Sequence, residues 1–138
     1  MPKTSKIFEE LLKNYFNNYY ATHPSDATYV GLKSGEGKMN SVSFSSLNRQ
    51  QKKRKDALLK LDKIPPSNLS NEQNLDRLAF SSRLLRECED FERKKHALHP
   101  KGIDEVLEFL LQELQRSETE PKRAAKNIRS LLKESQRY

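Results

Sequence analysis

Tryptophan is absent from this chain, cysteine occurs once, and glycine only four times in 138 residues. A lone cysteine, Cys88, cannot close an internal disulfide, so a disulfide-stapled scaffold is excluded. Four glycines and six prolines are too few for the many tight connections of a sheet protein. No apolar run approaches the ~18 residues that span a bilayer. The opening Met-Pro-Lys-Thr-Ser-Lys-Ile-Phe meets charge before any apolar stretch, so no signal peptide is expected. The expected location is therefore the cytoplasm, with no membrane partner. Also missing are the compact signatures of familiar chemistry: His-Glu-x-x-His, Gly-x-Ser-x-Gly, and a Gly-rich loop running into Gly-Lys-Ser/Thr.

What is present is charge and helical periodicity. Charged residues make up 33% and apolar residues 34%, with 26 Lys and Arg against 19 Asp and Glu, giving a net charge of +7 and a pI of about 9.5. That balance serves solubility and also permits contact with an anionic partner. Because the apolar residues gather in periodic blocks, the composition does not imply disorder. The length fits one helical domain over residues 1–138, burying roughly two-thirds of its unfolded surface.

The first helix is expected from Thr4 or Ser5 to Ala21. Its apolar residues form two rows four apart: Ile7, Leu11, Tyr15, Tyr19 and Phe8, Leu12, Phe16, Tyr20. Together they cover more than half the circumference, where a surface helix needs an arc of only ~100°. The Ile7–Tyr20 helix is thus either central to its bundle or a face for self-association. Pro24 stops it. Ser25 is the expected cap of a short helix over Asp26–Val30, closed by Gly31 in a left-handed turn.

Residues 33–42, rich in Gly, Ser and Lys, read as an exposed loop. A further helix is expected from Ser45 or Ser46 to Asp62. Ser70 and Gln73 form a capping-box pattern, opening a helix to about Lys95 that carries Leu75, Leu78, Ala79, Leu85, Cys88 and Phe91 at helical spacing. Ile103, Val106, Leu107, Leu110, Leu111 and Leu114 follow helical spacing. Thr119 is the expected cap of a last helix, with Pro121 in its first turn and Ala124, Ile128, Leu131 and Leu132 inward. The fold class is all-α: a bundle of about five long helices plus one short one.

Candidate chemistry is thin. His96, His99 and Cys88 invite a zinc reading, but structural zinc wants four ligands at tight spacing, and the histidines stand beside Pro100. Acidic neighbours such as Glu87 and Glu89, or Glu105 and Glu108, lack any sign of a pocket that would shift their ionisation. Arg49, Lys52, Lys53, Arg54 and Lys55 form a basic run that phosphates could contact. Aromatics are not interleaved with that run, so no stacking platform appears. A nucleic-acid module is the alternative reading and the weaker one. No catalytic, cofactor-binding or metal-ligating residue is assigned, and no cofactor is expected.

Read in order, several blocks resemble the N-terminal part of a bacterial family called domain of unknown function 885, whose members are similar to zinc metallopeptidases of the gluzincin type. Pro24-Ser25-Asp26-Ala27-Thr28-Tyr29-Val30-Gly31 is similar to the family's Pro-x-x-Ala-Thr-x-x-Gly element. The helix end from Leu58 to Ile64, the Leu75-to-Phe91 helix, and the segment from His99-Pro100 through Arg116 and Pro121 complete the resemblance. His99 departs from the Asn usual before that proline. In the family, the His-Glu-x-x-His helix lies well beyond the stretch that this chain matches, so no ligand or catalytic residue carries over. The resemblance implies a noncatalytic, cleft-flanking helical unit whose partner is a C-terminal catalytic domain.

Overall fold

Helix boundaries obey local start and stop signals, with instructive exceptions. The structure, a computed structural model, describes residues 3–41, 43–94 and 101–136, with side chains left out for residue 3 and for 101–105. Within them lie six α-helices and no strand: α1 (Lys3–Thr22), α2 (Pro24–Tyr29), α3 (Phe44–Asp62), α4 (Asn71–Glu92), α5 (Lys101–Arg116) and α6 (Pro121–Ser135). Five are long and one is short, so the chain is all-α. No helix among the described residues is long and apolar enough to cross a membrane.

The capping box forms as its sequence predicts: Gln73 N donates to Ser70 Oγ and Ser70 N to Gln73 Oε1, both at 3.2 Å. Gly31 takes φ +84°, the left-handed turn expected of it. Two caps are corrected. Ser25 does not cap α2; Pro24 occupies the first turn and His23 stands at the cap position without a side-chain capping bond. Proline's fixed φ and missing N–H suit the first helical position, which moves the start upstream and buries Ser25, whose N–H reaches Asn40 Oδ1 at 3.1 Å. Likewise Thr119 donates to Arg116 O at 3.2 Å, while Glu120 precedes Pro121 at the start of α6 without a side-chain cap.

Contacts group the chain into two compact units, one of Met1–Asn18 with Val42–Leu98 and one of Tyr19–Ser41 with His99–Tyr138. The core of the first is Phe8, Ala57, Leu61, Ile64, Phe80 and Leu84. Against it pack Leu11, Leu12, Tyr15 and Phe16, so much of the wide apolar arc of α1 is used inside this unit, with Ile7 left half-exposed. Tyr15 meets Phe80 edge-on, with ring centroids 5.0 Å apart.

That contact fixes the rotation of α4, which helical spacing alone leaves open. Phe80, Leu84 and Cys88 are buried, whereas Leu75, Leu78 and Leu85 point outward at 68%, 59% and 57% exposure. The second unit centres on Met39, Phe109 and Leu131, with Val106 and Leu110 packed against them. Of the apolar residues at helical spacing on α5, Leu107, Leu111 and Leu114 are exposed, while Phe109 and Glu113 are buried.

The expected exposed loop over 33–42 is also corrected for its described part. Lys33–Gly35 make a 3₁₀ turn, and Gly35, Gly37 and Met39 are buried. A Cβ on Gly35 would stand 2.1 Å from Pro24 O. In sequence, glycine imitates loop polarity; here it lets two backbone segments touch.

Candidate functional site

The richest gathering of ionisable side chains lies in the second unit, where the 33–41 segment meets α5 and α6. Glu36 follows the 3₁₀ turn, which aims its carboxylate at α6. Arg123 Nε donates to Glu36 Oε2 at 2.8 Å and its Nη2 to Oε1 at close range, a two-point clamp. The same guanidinium donates to Glu120 at 2.6 Å. Asn127, one turn along α6, shares its Nδ2 between Glu36 Oε2 at 3.4 Å and Glu113 Oε2 at 3.3 Å. Glu113 sits on the inner face of α5 with its side chain only 2% exposed, and its other oxygen accepts from Arg116 Nη1 at 2.5 Å. Arg116 lies 3.8 Å from Glu36, closing the ring.

The electrostatics follow from this geometry. Hydrogen bonding from Arg123 holds the Glu36 carboxyl below the usual carboxylate range against the opposing effect of burial, with Asn127 and the Arg116 charge assisting. Arg123 is correspondingly held in its charged form by Glu36 and Glu120. Such an arrangement keeps its charges fixed and saturated by one another. It ties a loop to the α5–α6 helical hairpin. Met39 N, donating to Glu134 Oε2 at 3.1 Å, adds a second tie at the far end of α6.

The first unit holds a smaller cluster. Glu87 accepts from Arg54 Nε at 2.9 Å and from Arg83 Nε at 2.8 Å, and Arg83 also lies over the Phe16 ring at 5.6 Å. Burial, reinforced by the Glu87 charge, pushes the neighbouring Tyr15 phenol up to about 12, so it stays protonated. A groove of about 150 Å³ between α1 and α3 is lined by residues including Asn14, Asn18, Lys53, Asp56 and Lys60. Small-molecule sites run to roughly 300–1,000 Å³, so it is too small for a typical ligand.

The residues singled out in the sequence scatter. His23 stacks on Tyr19, with ring centroids 4.1 Å apart, and its Nδ1 lies 3.0 Å from Tyr19 O. Cys88 is buried, and that burial raises its thiol pKa. His96, His99 and the Glu105 side chain lie outside the described residues, among which no three His, Cys, Asp or Glu groups could hold a metal ion. Glu87 and Glu89 do not act together: Glu89 pairs with Arg93. In the basic run, Arg54 is spent on Glu87 and Lys55 on Glu92 at 3.0 Å, leaving Arg49, Lys52 and Lys53 exposed.

Sequence reasoning missed the Glu36–Arg123–Asn127–Glu113 network. One signal was available: Glu113 continues the Val106–Leu110 row of α5, and a carboxylate on an apolar face requires a partner. No family model, curated protein or solved structure matches the chain.

Proposed function

We propose that this chain is a noncatalytic helical unit with a structural task, the N-terminal helical region of a gluzincin-like metallopeptidase-type protein, flanking and shaping a substrate cleft. One observation carries the reading. Two of the segments that resemble that family, Pro24–Gly31 and the Arg116–Pro121 link, belong to one compact unit, the Leu58–Ile64 and Leu75–Phe91 stretches belonging to the other, and the polar groups gathered around the first two are spent on each other. In the same unit Tyr29, Val30 and Leu32 are 76%, 53% and 42% exposed, an apolar surface suited to a neighbouring catalytic part. The pure protein, assayed with peptide substrates and added zinc, is expected to hydrolyse nothing. Reproducible, chelator-sensitive hydrolysis overturns the reading.

A second reading, a basic nucleic-acid module, draws on the exposed Arg49, Lys52 and Lys53 of α3. It requires affinity that falls steeply with salt and with Lys52→Glu and Lys53→Glu. Absence of binding to single- or double-stranded oligonucleotides at low salt removes it.

A further inference from the structure

The outward face of α4 is an unspent leucine stripe with its own charge code. Leu75, Leu78, Ser82 and Leu85 repeat at alternating steps of three and four, the seam spacing of a paired helix. The opposite face, Phe80, Leu84 and Cys88, is already buried in the first unit. Beside the seam stand Glu72, Ala79 and Arg86, seven residues apart, all exposed. Neither Glu72 nor Arg86 is ion-paired among the described residues.

We propose that this face pairs with the same face of a second copy of this chain, the two α4 helices running antiparallel about a twofold axis. Seam residues then meet in layers, Leu75 against Leu85 of the other copy and Leu78 against Ser82, with each layer occurring twice by symmetry. The register that stacks the leucines is also the one that sets Glu72 beside Arg86 of the other copy, twice. A parallel pairing instead puts the flanks that carry Glu72 and Arg86 on opposite sides of the interface, where they face Ser67 and Ser81 of the other copy and neither charge meets its complement. Ala79 meets its own counterpart at the centre, where a small side chain lets the helices approach. Three leucines per copy bury less than the ~1,200 Å² of a standard interface. The dimer is accordingly weak and dissociates on dilution.

Sedimentation equilibrium of the intact protein from low to high micromolar concentration tests this. The expected result is a mass rising toward that of two chains. Leu78→Glu abolishes the rise with unchanged helical ellipticity, because the residue is exposed in the monomer. Arg86→Glu weakens association about tenfold or more, and the exchange Glu72→Arg with Arg86→Glu in one chain restores it. A mass that stays monomeric throughout overturns the proposal, as does association indifferent to Leu78→Glu. Failure of the exchange to rescue overturns the antiparallel register.

Discussion

Replacing Arg116 with Met removes the charge opposite Glu113 while keeping a long apolar stem, and it isolates what the buried carboxylate costs. In the native protein Glu113 is 2% exposed and is satisfied by Arg116 Nη1 at 2.5 Å and Asn127 Nδ2 at 3.3 Å. Breaking a buried ion pair from one side costs about 3–5 kcal/mol, because the remaining ion is left uncompensated. Arg116 is itself 25% exposed and Asn127 stays in place, so the expected loss is nearer 2–4 kcal/mol. With a urea slope of about 1–3 kcal/mol/M, the midpoint of helical ellipticity should fall by roughly 1–2 M.

The decisive comparison is the double variant Glu113→Leu with Arg116→Met. It lacks the stranded carboxylate, and replacing a buried pair by apolar groups is often neutral, so it should unfold within about 1 kcal/mol of the native protein. Both variants lose the favourable effect of a cation in the last turn of α5, about 0.3–1 kcal/mol. Their difference therefore reports the stranded carboxylate less its one remaining bond from Asn127, which keeps its contact with Glu36. If the Arg116→Met protein is as stable as the native one, or the double variant as unstable as the single, the reasoning fails.

Glu36→Gln should lower the melting temperature by several degrees at neutral pH and flatten its acid dependence. Glu36 titrates below the ordinary carboxylate range when folded, so its contribution is complete above the unfolded pKa and is lost as pH falls through the folded one. Parallel melting-versus-pH curves for the two proteins would contradict this. Gly35→Ala should cost about 2–3 kcal/mol, since its new methyl meets the backbone oxygen of Pro24 and neither element can yield without repacking. Gly31→Ala, with open space around it but φ at +84°, should cost only about 1–2 kcal/mol. Chemical denaturation that ranks them the other way would reject the close approach at Gly35.

The features legible in the sequence were those decided within a few residues. Ser70 and Gln73 are three apart and close a reciprocal box, and Gly31 alone among its neighbours accepts a left-handed turn. Rotation of a helix about its axis is a different matter when two of its rows are apolar. In α4 the row of Leu75, Leu78 and Leu85 competes with the row of Phe80, Leu84 and Cys88, and periodicity cannot rank them. Phe80 wins because it meets Tyr15 and Phe16 of α1, partners more than sixty positions earlier. The polar network was hidden for the same reason, with Glu36 and Asn127 separated by 91 positions and nothing local linking them.

The two outward leucine faces, on α4 and α5, carry a physical consequence. A helix whose inner face is settled by distant aromatics gains nothing from leucines on its outer face. Each exposed leucine still forfeits about 1.5–3 kcal/mol that full burial would return. On α4 those leucines keep a seam spacing and are flanked by opposite charges at matched offsets, Glu72 toward one end and Arg86 toward the other. Spacing alone fits any apolar partner, whereas charges that complement each other only when the helix is reversed fit a second α4.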